Sequence, residues 1–138
     1  MTKDLYYTIP AYFLERMHEH SSVLDVDNVS TDEHFLYRIR RQKFGTALVW
    51  LSDAYTFTDM DYVNRPEELQ PGDYIVIAKP EGGGSASAAL IASTQIGVGK
   101  LSDFMGALNR RDMWNYIAPT WEERQRKKER LEARSRRF

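Results

Sequence analysis

Two short apolar runs constrain the fold of this chain more than any other feature of its sequence. The segments "TALVWLS", residues 46–52, and "DYIVIA", residues 73–78, are almost continuously apolar and have the length of strands. Strands that are buried on both faces have this pattern, whereas a strand with one wet face alternates apolar and polar residues. We therefore expect two central strands of a sheet that is flanked by helices.

Helical patterns lie on both sides of these runs. A helix is predicted from Pro10 through "AYFLERMHEH", because its apolar residues share one face. A second helix is predicted over residues 30–45, "STDEHFLYRIRRQKFG", where Ser30 and Glu33 match a capping box. Residues 85–109 have apolar residues at helical spacing interrupted by glycines, which predicts two helices that meet at a bend.

Two other segments leave alternatives open. Residues 22–29, "SVLDVDNV", fit an edge strand or an extended loop, since neither side of a strand would be cleanly apolar. Residues 53–70 could begin as an alternating strand through Tyr55 and Phe57 and form a helical turn after Pro66.

Helices that alternate with buried strands predict an α/β or α+β fold with a central mixed sheet. A chain of 138 residues suits a single domain. We place this domain at residues 1–118 and expect residues 119–138 to form a charged, basic C-terminal helical tail.

The composition limits the cellular setting. No apolar run approaches the roughly 18 residues of a membrane span, and "MTKDLYYTIP" lacks the apolar core of a secretion signal. The sequence has no cysteine, which excludes disulfides, thiolate metal sites and a cysteine nucleophile. We expect a cytoplasmic protein with no membrane contact.

A glycine-rich stretch after the second apolar run is the first candidate site. Residues 79–85 are "KPEGGGS", so the predicted order is strand, three glycines, serine and helix. This order exposes backbone N–H groups beside a helix N-terminus, where an anion is stabilised, and glycine lets the backbone approach a ligand closely. The predicted anion-binding residues are Lys79, Gly82, Gly83, Gly84 and Ser85.

The same stretch also fits a purely structural role. It lacks the Gly-Lys-Ser/Thr ending of a Walker loop and the G-x-G-x-x-G spacing of a dinucleotide site. Glu81 also places a negative charge close to the predicted anion. The alternative is a flexible connection between a strand and a helix, capped by Ser85.

Three aspartates, Asp53, Asp59 and Asp61, follow the first apolar run. Carboxylates at a strand end can hold Mg²⁺, which prefers oxygen ligands, so Asp59 and Asp61 are weak candidate metal ligands and Mg²⁺ is the one candidate cofactor. The alternative is that these aspartates cap turns, in which case no cofactor is expected.

The order helix, strand, acidic segment, strand ending in lysine, helix resembles the core of restriction-endonuclease-like nucleases over residues 31–108. In that family two carboxylates and a lysine lie together on adjoining strands. The resemblance therefore implies a divalent-metal nuclease that uses Asp59, Asp61 and Lys79. The family pattern has an acid two residues before the lysine, where this chain has Ile77, so the implied site is degenerate.

Residues 121–138 carry a basic bias. They hold eight Lys/Arg and four Glu, a balance of +4, while the other 120 residues have a balance of −5. Glutamates four residues before a basic residue favour an exposed helix. The candidate nucleic-acid-binding residues are Arg124, Arg126, Lys127, Lys128, Arg134, Arg136 and Arg137.

Three interpretations of this basic segment stay open. It is a solvated terminal helix, a contact for nucleic-acid phosphates, or a segment that docks on an acidic protein surface, including that of a second copy of the chain.

The leading functional hypothesis is a small cytoplasmic binding domain for a nucleic acid or nucleotide, which uses the glycine-rich stretch and the basic segment. The alternative is a protein-interaction or oligomerisation module that uses Trp114, Tyr116 and Trp121. The sequence contains no nucleophile-elbow motif, and we favour a protein that is not an enzyme.

Overall fold

The structure is a computed structural model that describes residues 5–117 and 121–136. Its helices are α1 (Thr8–Glu19), α2 (Asp59–Val63), α3 (Ala88–Thr94), α4 (Leu101–Ala107) and α5 (Trp121–Arg136). Its strands are β1 (Val23–Asn28), β2 (Phe35–Arg41), β3 (Gly45–Ser52), β4 (Thr56–Phe57), β5 (Tyr74–Ile77), β6 (Gly83–Gly84) and β7 (Gly97–Lys100). A 3₁₀ turn, Met113–Asn115, follows α4.

Five strands form one mixed sheet in the order β1-β2-β3-β5-β7. The first three are antiparallel neighbours, and β5 and β7 run parallel to β3. Helices cover both faces of this sheet. The chain therefore forms one small α+β domain with a central mixed sheet and a C-terminal helix, as the sequence predicted.

The two apolar runs form the centre of the sheet, which confirms the prediction of buried strands. In β3, Val49 is buried on one face and Trp50 on the other. In β5, Val76 and Ile75 divide between the same two faces. A strand covered on both sides needs an apolar residue at almost every position, and this is why the two runs are continuous.

The two faces of the sheet support separate core clusters. On the face that carries α1 and α4, the buried residues are Phe13, Met17, Tyr37, Ile39, Ala47, Val49, Leu51, Tyr74, Val76, Phe104, Ala107, Leu108 and Met113. On the face that carries α2 and α3, they are Leu36, Trp50, Phe57, Tyr62, Leu69, Ile75, Ile77 and Ile96. The sheet is thus the middle layer of three.

The helix predicted over residues 30–45 is wrong, because this segment forms β2 and the turn that leads into β3. Side chains alternate along β2: Tyr37 and Ile39 are buried, and the arginines that follow each of them are exposed. The hydroxyl oxygen of Ser30 does not cap a helix but accepts the Leu36 N–H at 3.0 Å. Alternation with a period of two residues therefore decides the structure here, and the apparent capping box does not.

The prediction of two helices meeting at a bend over residues 85–109 is wrong as well, because β7 lies between α3 and α4. A Cβ atom added to Gly97 would lie 2.5 Å from the Tyr74 ring, and one added to Gly99 would lie 2.6 Å from the Tyr74 hydroxyl. Tyr74 belongs to the neighbouring strand β5 and packs across β7. The two glycines therefore leave room for a buried ring rather than bending a helix.

Other sequence predictions are confirmed with shifted boundaries. α1 begins at Thr8, two residues before the predicted start at Pro10. Residues 22–29 contain the edge strand β1, which decides between strand and loop. Within residues 53–70 the alternating segment supplies β4, but the helical turn is α2, which lies before Pro66 rather than after it.

The glycine-rich stretch contributes β6 to a second, two-stranded sheet, in which β6 pairs in parallel with β4. Gly84 has a φ of +96°, and a Cβ atom there would clash with the Phe57 carbonyl oxygen. A Cβ atom on Gly83 would meet nothing within 4 Å. Glycine is therefore required at position 84, both by its φ and by the close approach of another backbone.

The buried residue Asp73, directly before β5, links this strand to β3 and β7. Its carboxylate accepts the Leu48 N–H of β3 at 2.8 Å and the Gln70 N–H at 2.6 Å. Its carbonyl oxygen accepts the Gly97 N–H of β7 at 3.1 Å. Burial raises the pKa of the Asp73 carboxyl above its usual value, and the two N–H donors partly offset this rise.

The expected C-terminal helix is α5. Its described side chains, residues 122–134, are exposed except for the half-buried Gln125. Glu122 and Arg126 form an ion pair of 3.8 Å along the helix, which contributes at most a few tenths of a kcal/mol (~0.3–0.5). The exposure of these side chains indicates that α5 adds little to either core cluster.

We expect a chain that ends after Ile117 to keep its fold, because the described side chains of α5 bury little apolar surface. The melting temperature, followed by circular dichroism, should change by less than about 4 °C, the shift that ~1 kcal/mol produces in a domain of this size. A larger fall would show that α5 packs on the body of the protein.

We expect Gly84→Ala to destabilise the fold by at least ~1–2 kcal/mol, because an alanine strongly disfavours a positive φ. The matched control is Gly83→Ala, one residue earlier, where the added methyl group meets open space and the cost should be smaller. Urea denaturation measures both. Equal losses of stability would contradict the pairing of β6 with β4.

We expect Asp73→Asn to lower the free energy of unfolding by about 1–3 kcal/mol, because the amide leaves one buried N–H without an acceptor.

The raised pKa means that the folded state holds the Asp73 proton more tightly than the unfolded state does. The wild type therefore loses stability as the pH rises above 3.8 through the raised pKa, and the asparagine variant does not. The difference in free energy of unfolding between the wild type and Asp73→Asn should therefore become smaller as the pH rises. A difference that grows with pH would contradict a raised pKa for Asp73.

Candidate functional site

The carboxyl ends of β3, β5 and β7 lie at one edge of the sheet because these three strands are parallel. Open sheets with parallel strands commonly bind ligands outside this edge. The segments that leave it are residues 53–55 after β3, residues 78–81 after β5, and residues 100–102 at the junction of β7 and α4. The first turn of α1 lies opposite these segments and completes a groove.

This groove has two adjoining lobes with volumes of about 560 and 450 Å³. Both lobes are lined by Thr8, Ile9, Lys79 and Pro80. The first lobe adds, among others, Tyr6, Tyr55 and Glu81, and the second adds, among others, Tyr12, Lys100 and Ser102. We call it the carboxyl-edge groove, and each lobe has a volume typical of small-molecule sites.

Two lysines bring positive charge to the carboxyl-edge groove. Lys100 is the last residue of β7 and pairs in register with Ile77 of β5, two residues before Lys79. Both lysines line the second lobe. In residues 5–117 and 121–136 neither lysine forms an ion pair. Two ammonium groups without an ion pair in these parts of the chain favour an anionic ligand, although Glu81 also lines the first lobe.

Exposed tyrosines surround the same groove. The exposed fractions of Tyr6, Tyr12 and Tyr55 are 83%, 54% and 56%. The Tyr55 hydroxyl donates to the Glu81 carboxylate at 2.9 Å, and this bond raises the pKa of Tyr55. The Lys79 ammonium lies 6.0 Å from the centre of the Tyr55 ring. Rings that are large, flat and solvent-exposed provide surfaces on which a planar ligand can stack.

The glycine-rich stretch does not present the backbone donors that the sequence suggested. The Gly82 N–H donates to the Lys79 carbonyl oxygen at 2.9 Å. The Gly83 N–H donates to the Tyr55 carbonyl oxygen, just before β4, at 3.0 Å, and the Ser85 N–H donates to the Phe57 carbonyl oxygen of β4 at 3.2 Å. Two of these donors are used by the pairing of β6 with β4, and the Gly82 N–H closes a turn at Lys79. Of the predicted anion-binding residues, Lys79 is the one that lines the carboxyl-edge groove.

The helix after the glycines also differs from the prediction. Its N-cap residue is Ser87, not Ser85, and α3 has seven residues. The Ser87 N–H donates to the Asp59 carboxylate at 2.6 Å. A carboxylate from the protein itself therefore occupies the position where an external anion was expected.

The candidate metal ligands Asp59 and Asp61 are both engaged within the chain. Asp61 lies in the first turn of α2, where its carboxylate accepts the Thr58 N–H at 2.9 Å and completes a capping box. Across the described ranges, no group of three or more His, Cys, Asp or Glu side chains is placed so that it could hold a metal ion. The two aspartates cap and connect helices, and neither of them lines the carboxyl-edge groove with Lys79.

Six of the seven basic residues of α5 lie on one side of the helix, and Arg136 is the exception. With 3.6 residues per turn, Arg124, Arg126, Lys127, Lys128, Arg130 and Arg134 fall on an arc of roughly 200°. Three of the four glutamates of α5 fall on the remaining arc, and Glu123 lies among the basic residues. Arg136 is the last residue of α5, and Arg137 lies outside the described residues. We call the basic arc the basic face of α5.

The aromatic residues of the predicted interaction surface are partly packed into the body. Trp114 and Tyr116 are half-buried, and Tyr116 packs against the larger core cluster. The guanidinium of Arg110 lies 5.7 Å from the centre of the Tyr116 ring. The side chain of Trp121 lies outside the described part of the structure. Within the described residues, these aromatic rings therefore do not form one exposed surface.

Tyr6, Tyr12 and Lys100 are groove residues that the sequence patterns do not identify. Lys100 ends a strand whose glycines resemble helix breaks, so its position at the edge of the sheet is hidden. Tyr6 lies just before α1 and Tyr12 lies within it. Only the packing of α1 against the sheet brings them to the groove. The one sequence feature that pointed to the groove was Lys79, which follows the apolar run of β5.

In the described ranges no helix is both long and apolar enough to cross a membrane. No family model matches the chain, and no curated protein and no solved structure shows significant similarity to it.

Proposed function

We propose that this protein binds single-stranded nucleic acid in the carboxyl-edge groove, with a nucleotide as the smallest unit recognised. The observation that carries this proposal is the combination, around one groove, of two lysines without ion pairs in the described chain and three exposed tyrosines. Lysine binds phosphate as a point charge, and aromatic rings stack on the faces of bases.

The two lobes suggest where the phosphate and the bases of the ligand bind. Lys79 and Lys100 line the second lobe together with Tyr12, so a phosphate there lies beside a ring that can stack on the attached base. Tyr6 and Tyr55 line the first lobe and offer surfaces for the next base. Stacking of one base on an aromatic side chain contributes about 1–3 kcal/mol.

A single strand fits this arrangement better than a duplex does. Bases in a duplex are stacked on each other, so their faces are not available to protein rings. Unpaired bases can leave the stack and lie against Tyr12 or Tyr55. The groove thus favours nucleic acid whose bases are unpaired.

The basic face of α5 supports the proposal as a second contact with phosphates. Contacts between basic residues and phosphates are independent of base sequence and weaken as salt concentration rises. The rest of the chain carries a balance of −5, which repels a polyanion at long range. A local cluster of positive charge such as this face offsets that repulsion during the encounter.

We expect Tyr12→Ala to weaken binding of a fluorescein-labelled single-stranded oligonucleotide by about 5- to 100-fold, the loss expected from one stacked ring. Fluorescence anisotropy at fixed salt measures the affinity. Tyr7→Ala is the matched control, because Tyr7 is 86% exposed, belongs to the same segment and does not line the groove. It should bind as the wild type does.

Two further variants separate the groove from α5. Lys79→Glu combined with Lys100→Glu should abolish binding in the groove, and nucleoside monophosphate should no longer compete with the oligonucleotide. Charge reversal at Arg130 and Arg134 should instead reduce the salt dependence of binding. The log–log slope should fall by about 0.7 for each phosphate of the single strand that these arginines neutralise in the wild type.

Two results would refute the proposal. One is a wild-type protein that binds neither the single strand nor a nucleotide at low salt, and the other is a Tyr12→Ala protein that binds like the wild type. The protein-interaction module is then the remaining candidate, with the basic face of α5 as a contact for an acidic protein surface. Light scattering at several protein concentrations tests the version in which the partner is a second copy.

A further inference from the structure

Arg41, the last residue of β2, is buried to an unusual degree for an arginine, with 6% of its surface exposed. One terminal nitrogen, Nη1, donates to the Arg110 carbonyl oxygen at 2.7 Å, and the other, Nη2, donates to the Phe44 carbonyl oxygen at 3.2 Å. The Nε–H group is buried and has no hydrogen-bond partner in the described structure. Buried guanidinium groups normally have all their donors satisfied.

The positive charge of Arg41 also lacks compensation. In the described ranges no ion pair involves this side chain, and burial lowers the pKa of its guanidinium. An uncompensated charge in the interior is costly. The contacts with two carbonyl oxygens and the ring of Phe44, 5.3 Å from the guanidinium carbon, reduce this cost but supply no negative charge.

A small polar cavity of about 70 Å³ lies beside Arg41. Ser22, Lys43 and Asn109 are among its lining residues, so three separate segments of the chain meet there. A single water molecule needs about 10–15 Å³ of such space. The cavity is therefore large enough for a small polyatomic ion.

The polar groups of this cavity are held in position by the fold. The Ser22 N–H donates to His20 Nδ1 at 3.1 Å, and the Ser22 carbonyl oxygen accepts the Gln42 N–H at 2.8 Å. The Ser22 hydroxyl donates to Asn109 Oδ1 at 2.5 Å. This bond orients the Asn109 amide and leaves its NH₂ group as a donor for another partner.

Further cations surround the cavity. The guanidinium of Arg111 lies 6.0 Å from the centre of the Phe44 ring, so this ring contacts two arginines. Lys43 and Arg110 are exposed close by, and neither forms an ion pair in residues 5–117 and 121–136. Arg41 and Lys43 line the cavity, and Arg110 and Arg111 belong to the segment whose carbonyl oxygen Arg41 contacts. This local excess of positive charge attracts an anion.

We propose that the cavity beside Arg41 binds an oxyanion of the phosphate class. The Arg41 guanidinium and the Asn109 amide NH₂ face its oxygens, and Lys43, which also lines the cavity, adds positive charge. The oxyanion supplies the negative charge that the buried guanidinium lacks. The site shares no residue with the carboxyl-edge groove, so it does not depend on the function proposed for that groove.

The test compares the melting temperature of the full chain in sodium phosphate with that in sodium chloride of equal ionic strength. A ligand that binds only the folded state raises the melting temperature. Phosphate also stabilises proteins in general through exclusion from their surfaces. The informative quantity is therefore the difference in phosphate increment between the wild type and a variant in the cavity.

The variant is Asn109→Asp, which keeps the shape of the side chain and the acceptor for Ser22 but places a carboxylate in the cavity. It should weaken phosphate binding by at least about tenfold, because like charges about 4 Å apart near a protein surface repel by more than the ~1.4 kcal/mol that a factor of ten represents. Asn115→Asp is the matched control, since Asn115 is exposed and does not line the cavity. It should keep the wild-type increment.

A second measurement follows the site directly. The Arg41 Nε–H resonance, assigned by its absence in Arg41→Lys, should shift when inorganic phosphate is added to the wild type and not when it is added to Asn109→Asp. Equal phosphate increments in wild type and Asn109→Asp, or an Arg41 resonance that does not respond to phosphate, would overturn the proposal. Tyr12→Ala should leave both readouts unchanged, which separates this site from the groove.

Free phosphate and a phosphate group on a larger molecule offer the same chemistry. Glycerol phosphate, a monoester, and dimethyl phosphate, a diester, distinguish these sources in the same two measurements. A response to the diester indicates a nucleic-acid backbone, a response to the monoester indicates a phosphorylated metabolite or chain end, and a response to inorganic phosphate alone indicates the free ion.

Discussion

The buried carboxylate of Asp73 holds the central strands in the arrangement on which the carboxyl-edge groove depends. It accepts an N–H group from β3 and one from the turn before β5, while the carbonyl oxygen of the same residue accepts an N–H group from β7. A buried carboxylate is unfavourable unless such donors satisfy it. One residue thus bonds to both neighbours of β5. The parallel direction and register of the three strands place their carboxyl ends, with Lys79 and Lys100, at the same edge.

The sequence predicted the parts of the fold that depend on local pattern. β3 and β5 are continuous apolar runs because both faces of each strand are covered, and this burial is visible in the run itself. β2 was missed because Ser30 and Glu33 imitate a helix start, although the alternation around Tyr37 follows a strand. β7 was missed because its two glycines looked like breaks in a helix. They leave room for the ring of Tyr74, which lies more than twenty residues earlier in the chain, so the local sequence does not show their purpose.

The candidate site was predictable only in part for the same reason. Lys79 follows a strand that the sequence identifies, so its place at the end of that strand was predictable. The N–H groups of Gly83 and Ser85 were not available to a ligand, because they bond to Tyr55 and Phe57. No local sequence pattern predicts a pairing of two-residue strands. Tyr12 reaches the groove through the packing of α1, and Lys100 reaches it through the pairing of β7 with β5. Both depend on contacts between distant segments.

The two proposed sites lie at opposite ends of β3. Arg41 pairs with Gly45 at the start of this strand, whereas the carboxyl-edge groove lies beyond Ser52 at its end. Seven residue steps of about 3.3 Å separate these ends by roughly 23 Å, so no small ligand touches both. The groove accounts for Lys79 and Lys100 but not for a guanidinium that is buried without a counter-charge. Folding alone gives no reason to bury that charge, and a bound oxyanion supplies one.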